Sequence, residues 1–253
     1  MNANAAKTWL CLFVFMLLPI AASAAGLKED MVALDRAFIP AFGIANRTPP
    51  QPEEAKRAMD AFSAQWAGFK QQHMATKGGD PQWQSDLEQI DRLIGAADRI
   101  IDSGKDFAKA REQLKAVRVA FLELRERMKM PYFLDDVVRF HDPMEAIHLI
   151  ARGKTGEQLT AADVAKITGT FSEADQRWAT VQGAKIDAVF APTAERRDRL
   201  NKLIANETRA MADLQRDLAA GDREAIAKSA QGLRGPFSAL YSSFGDRSAL
   251  DKN

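Results

Sequence analysis

The sequence predicts an all-α protein, a tandem duplication of an up-down four-helix bundle unit with about eight helices after an N-terminal export segment. Three observations predict it. Apolar residues recur every three or four positions almost throughout the chain, the period of helices that bury one face. The composition is rich in Ala, Leu, Arg, Asp and Glu and poor in Val, Thr and Tyr, which favours helix over strand. The second half also restates the plan of the first at a nearly constant offset.

The N-terminus carries Lys7, an apolar run of about 14 residues from Trp9 to Ala22, and small residues at Ala22-Ser23-Ala24. That pattern reads as a secretory signal peptide (1–24) cleaved near Ala24. The run is short of the ~20 residues a membrane span needs, and Pro19 interrupts it. The expected location is the periplasm or the exterior. The single cysteine, Cys11, leaves with the signal, so the mature chain has no disulfide, thiolate ligand or cysteine nucleophile. The charge is balanced, 35 Lys and Arg against 34 Asp and Glu, and both signs are spread along the chain. No basic block points to nucleic acid or an anionic membrane, and no later segment is apolar enough to span a bilayer.

Helix 1 is read from about Leu27, with Met31, Leu34, Phe38 and Phe42 on one face and Pro40 expected to kink or shorten it. After the proline-rich loop at 46–52, helix 2 carries Ala55, Met59, Phe62, Trp66 and Phe69, and the stripe continues to His73. Lys77-Gly78-Gly79 stops it, and Asp80-Pro81 starts helix 3 as N-cap and first helical residue. The stripe of helix 3 is Trp83, Leu87, Ile90, Ile94, Ala97 and Ile101. Helix 4 follows Gly104 with Phe107, Ala110, Leu114, Val117, Phe121, Leu124 and Met128. Helix 5 is read from Pro143 to about Ala151. Thr160 to Asp163 caps helix 6, with Val164, Ile167, Phe171, Ala174, Trp178 and Val181. Ala191-Pro192-Thr193 opens helix 7, with Leu200, Ile204, Met211, Leu214 and Leu218. Gly221-Asp222 separates it from helix 8, with Ile226, Ala230, Leu233, Phe237, Leu240 and Phe244.

Laid side by side, Met31 falls on Met144, Leu34 on Ile147, Trp66 on Trp178, Pro81 on Pro192 and Leu93-Ile94 on Leu203-Ile204. The turn at Gly104 falls on Gly221 at an offset larger by about seven residues, two helical turns, which keeps the buried face in phase. The units are then 25–131 and 132–253, each of four amphipathic helices. They would form either separate bundles or one shared core. The connection at Lys129-Met130-Pro131-Tyr132 lacks a Gly or Ser run, so docked halves are expected.

Chemistry centres on His141-Asp142-Pro143-Met144-Glu145-Ala146-Ile147-His148. Glu145 and His148 have the Glu-x-x-His spacing that lets a carboxylate and an imidazole reach one ion from one helical face, with His141 and Met144 close by. The competing reading is a helix start, with Asp142 as N-cap, Pro143 at the first position and Glu145 turned back to the backbone. Only one Glu-x-x-His motif is present, where di-iron bundles use two and further glutamates. His73, on the helix 2 stripe, reads as a hydrogen-bonded core histidine. Glu207 falls on the stripe of helix 7, where a carboxylate must be paired, liganding or drawn to the rim, and Arg209 and Arg196 are its candidate partners. Convergence of His73, His148 and Glu207 would make a site. There is no glycine-rich phosphate loop, no Gly-x-Ser-x-Gly elbow and no His-Glu-x-x-His.

An exported four-helix unit with an early methionine (Met31, Met144) and a Gly221-Asp222 turn before an Ala-rich last helix resembles the cytochrome c′ family, once in each half. That family attaches haem through Cys-x-x-Cys-His near the end of helix 4. The corresponding segments here, Gly232 to Tyr241 and Val117 to Leu122, lack the attachment residues, so covalent haem is excluded. What the resemblance implies is the fold, with a noncovalent haem on a Met and His pair as the remaining link to its chemistry. The expectation is therefore an exported, non-enzymatic helical-bundle binding or accessory protein with no required cofactor, whose partner is a protein or a small ligand. The alternative is a handler of iron, copper or zinc with ligands Glu145, His148 and His141.

Overall fold

The computed structural model describes residues 24–45, 47, 49–75, 79–248 and 250. The signal-peptide reading therefore lies outside the described residues except for Ala24, and so do Lys77 and Gly78 of the expected helix stop. The described residues form nine helices and no strand: α1 (Ala24–Ala45), α2 (Pro52–His73), α3 (Pro81–Ser103), α4 (Phe107–Arg127), α5 (Phe133–Ala151), α6 (Ala161–Gly183), α7 (Ala194–Ala220), α8 (Arg223–Gly232) and α9 (Arg234–Ser242).

Local signals set most boundaries. Asp80 caps α3 by accepting the Gln82 N–H at 3.0 Å, ahead of Pro81 at the first position. Thr160 and Asp163 form a reciprocal capping box on α6. Gly104 and Gly221 end α3 and α7 in the left-handed region, with φ of 64° and 72°. Two boundaries depart from expectation. The helix read as beginning at Pro143 begins ten residues earlier, at Phe133, and Pro143 is buried inside it. Phe133, Leu134, Val137, Val138 and Phe140 are all buried at helical spacing, and that burial outweighs the backbone bond to residue 139 that Pro143 removes. Asp142 is therefore a mid-helix residue and not an N-cap. The expected helix 8 is divided at Leu233, because the ring of Pro236 clashes with the carbonyl four residues back, at Gly232. α1, by contrast, runs through Pro40 to Ala45.

In the first half α1 packs on α2, α2 on α3, α3 on α4, and α4 returns to α1. In the second α5 packs on α6, α6 on α7, α7 on α8 and α8 on α5, and α9 lies against α7, α5 and also α1. The tryptophans paired by the internal match make counterpart bonds. Trp66 on α2 donates to Asp91 on α3 at 2.8 Å, and Trp178 on α6 donates to Thr208 on α7 at 3.0 Å. Buried apolar side chains of both halves belong to one contiguous core. The halves meet where α1 packs on α9 and where Arg125 stacks on Tyr132, beside an edge-to-face cluster of the second half in which Phe190 meets Tyr132 and Phe244. The C-terminal tail ties back to α1, where Asp246 N donates to the Arg36 carbonyl at 2.8 Å. Among the described residues no helix is long and apolar enough to cross a membrane.

Candidate functional site

The site is organised by α4. Arg111, Arg118 and Arg125 recur every seven residues, so they stand in one row about 10.5 Å apart along the helix. Each follows a core residue (Ala110, Val117, Leu124), which places the row beside the buried stripe. In a lone four-helix unit such a row would face water. Here α5 and α9 of the second half cover it, and Arg118 and Arg125 are only 5% and 2% exposed.

At the lower end of the row Arg125 holds the two halves together. Its Nε lies 3.0 Å from both oxygens of Asp135 on α5, its Nη1 lies 3.4 Å from Asp35 on α1, and its guanidinium stacks 4.2 Å from the Tyr132 ring centre. Tyr132 donates its hydroxyl to Asp35 at 2.6 Å. Burial pushes both carboxyls above the ordinary range while the guanidinium pulls them back. Burial alone would lower Arg125, but the two carboxylates outweigh it and hold its pKa above the usual value.

Two turns up the row, Arg118 faces a cavity of about 210 Å³ between the halves. α1 contributes Ile39, Phe42 and Gly43; α4 contributes Arg111 and Arg118; α5 contributes His141 and Glu145; α9 contributes Arg234, Phe237, Ser238 and Tyr241. The Arg118 guanidinium lies 5.3 Å from the Phe42 ring centre and 3.8 Å from the exposed Asp142 carboxylate. Burial pushes the Tyr241 phenol well above its usual value against the pull of Arg118, so the hydroxyl stays neutral. The Nε atoms of Arg111 and Arg118 are buried without an acceptor. Arg111, Arg234 and Glu145 form no ion pair among the described residues. The cavity thus holds three guanidinium groups against one lining carboxylate, with aromatic walls.

His141 and Glu145 both line the cavity, one turn apart on α5. His141 Nδ1 lies 3.0 Å from Asp142, whose pKa this bond lowers, and the ring packs on Phe237. His148 is turned away, with Nδ1 3.2 Å from the Gln231 carbonyl at the end of α8. His73 lies in the first half, 2.7 Å from Asp30, and Glu207 lies in the second, so His73, His148 and Glu207 do not converge. Neither arginine reaches Glu207: Arg196 bonds the Ser243 and Phe190 carbonyls and Arg209 bonds Asn206. Both Glu207 oxygens are buried without a partner, and burial raises its pKa to about 8. Among the described residues the one group of three or more metal-ligating side chains within mutual reach is Asp60, Asp98 and Asp102, and Lys56 already sits 3.1 Å from Asp60 and 2.8 Å from Asp102. Met31 and Met144 are buried in the core.

The arginine row is the signal in the sequence that points to this site. Three arginines at a strict seven-residue spacing, each one position after a core residue, mark a second buried seam on α4. Comparison with protein families, with curated proteins and with solved structures gives no match.

Proposed function

We propose that this chain is an exported helical-bundle binding protein that holds a small ligand between its two four-helix units without transforming it. The observation that carries this is the cavity on the α4 row, walled by helices of both halves and lined by Arg111, Arg118 and Arg234 against the single carboxylate of Glu145. A concave space with aromatic walls and a few convergent charged groups is more economically read as a place for a ligand than as packing. The Lys7 to Ala24 pattern supports export, and the duplicated plan of the sequence supports two units closing on one site.

The test is thermal melting of residues 25–253 with small anionic, cationic and neutral compounds, beside Ser238→Phe, which fills the cavity mouth from an exposed position on α9. A ligand at a hundred times its Kd stabilises by about 2.7 kcal/mol, roughly a 5–10 °C rise in Tm for a chain of this size. At least one class should give that rise in the native chain and lose it in Ser238→Phe. A panel without effect, or a rise the variant keeps, overturns the reading.

A second reading, metal handling, is favoured by one observation: His141 and Glu145 share the cavity wall one turn apart. His148 would have to leave Gln231 to join them. Protein purified without chelators should then carry stoichiometric iron, copper or zinc that a His148→Ala variant lacks, as read by elemental analysis. Metal-free protein removes this reading.

A further inference from the structure

We infer that the cavity between the halves takes a small oxyanion, a carboxylate or phosphate group gripped by Arg111, Arg118 and Arg234. The inference rests on the proposed binding role and names the class of ligand. Charge is the first support. Three guanidinium groups face the space and only Glu145 answers them from its lining, while Asp142, 3.8 Å from Arg118, spends its charge at an exposed rim where His141 already binds it.

Geometry is the second support. A guanidinium presents Nε–H and Nη–H as a planar fork that matches two oxygens of a carboxylate or phosphate. In Arg125 that fork is satisfied, since Nε and Nη2 both bond Asp135. In Arg118, the next arginine of the row and 5% exposed, the Nε of the fork has no acceptor, and the same is true of Arg111. Arg118 above it meets only the Tyr241 hydroxyl and, 3.8 Å away, Asp142, and Arg111 forms no ion pair among the described residues, so a carboxylate within hydrogen-bond distance is supplied by the protein only at Arg125. An oxyanion in the cavity supplies the counterpart of Asp135 to the other two guanidinium groups.

Size is the third support. At roughly 30 Å³ per water, 210 Å³ holds about seven waters or an anion of similar bulk, such as phosphate or a short di- or tricarboxylate, and is too small to enclose a whole nucleotide. Ile39, Phe42 and Phe237 give the space apolar walls that lower the local dielectric and so strengthen the charge interaction. Glu145 opposes a fully ionised ligand and so favours one that keeps a proton or hydroxyl to donate.

Isothermal titration of residues 25–253 with inorganic phosphate and, separately, with citrate at low ionic strength tests this. Glycerol and choline serve as neutral and cationic controls. The expected result is one saturable site for at least one oxyanion, weakened at least tenfold in Arg234→Gln and in Arg111→Lys. The lysine keeps the charge but loses the fork. Neither arginine is fully buried, so the fold should survive, which the circular dichroism of each variant checks. Glu145→Gln should tighten the same oxyanion several-fold. Phosphate alone or citrate alone identifies the headgroup and supports the inference. Loss of affinity in neither arginine variant overturns it. Binding of glycerol or choline that Ser238→Phe blocks, with no oxyanion bound, overturns the oxyanion assignment while leaving the binding role intact. No binding of any compound, there or in the melting panel, overturns both.

Discussion

Replacing Glu207 by leucine should stabilise the protein, and the gain should grow as the pH rises. Glu207 sits on the buried face of α7 between Ile204 and Met211, with both oxygens sealed from water and no hydrogen-bond partner. Burial raises its pKa from 4.5 to about 8 in the folded chain. The folded state therefore holds a proton that the unfolded state has released between those values, and stability falls as pH climbs through that window. Below pH 4.5 both states are protonated and this contribution vanishes; above pH 8 the loss is complete. At about 1.4 kcal/mol per pH unit the full penalty is about 5 kcal/mol, of which about 4 accumulates between pH 4.5 and pH 8. Glu207→Leu should thus gain about 1–3 kcal/mol near pH 4.5, from removing unpaired polar atoms, and on the order of 4 kcal/mol more at pH 8. Every other titrating group is common to both proteins and cancels in the difference. Urea unfolding of the pair at pH 4.5, 6 and 8 measures it, and a gap that stays constant across that range refutes the assignment of the penalty to Glu207.

Glu207 also shows how far the sequence could be read. Its place on the apolar stripe of helix 7 follows from spacing alone, because period 3.6 decides which side of a helix meets the core. What it meets there does not follow. Arg209 and Arg196 were plausible by distance along the chain, yet one is held by Asn206 and the other by the Ser243 and Phe190 carbonyls. The same division runs through the rest of the molecule. Helix faces and the caps at Asp80, Thr160 and Gly221 are local and were legible. The start of α5 was not, since Asp142-Pro143 carries a strong local start signal and only the burial of Phe133 to Phe140 overrides it. The cavity was least legible of all. The Glu145-His148 spacing with His141 beside it is visible in the sequence, but the cavity neighbours Phe42, Arg118 and Tyr241 come from α1, α4 and α9, and only the packing of the two halves brings those helices together.

Removing the guanidinium of Arg125 should undo that docking. Arg125→Met keeps most of the volume and the apolar stem but leaves Asp35 and Asp135 buried without the cation that bonds both, with only the weaker pull of Arg139 on Asp135 remaining, for an expected loss of about 3–5 kcal/mol at pH 7. The pH dependence identifies the cause. Both carboxyls already have pKa values raised by burial and held back by Arg125, so the variant raises them further. Each then takes up a proton on folding over a wider range, and the cost disappears once the pH falls below the unfolded value near 3.8. The deficit of the variant should therefore be small near pH 3.5 and grow toward neutrality. Replacing all three groups, Arg125→Met with Asp35→Leu and Asp135→Leu, should recover most of the loss, because an apolar junction has no charge to strand. Tyr132 would lose its acceptor in that variant, which sets the residual deficit at about 1–3 kcal/mol. Denaturant titrations of the single and triple variants at pH 3.5 and 7 measure both effects. A single variant within 1 kcal/mol of the native chain at pH 7 would mean that Arg125 does not hold the junction. The arginine row would then have to be explained without it. If the deficit appears as expected, the α4 row has two functions along one helix: Arg125 bonded to carboxylates from within to fix the halves, and Arg118 with Arg111 without a carboxylate in hydrogen-bond reach above it, at the place where the fixed halves enclose a space.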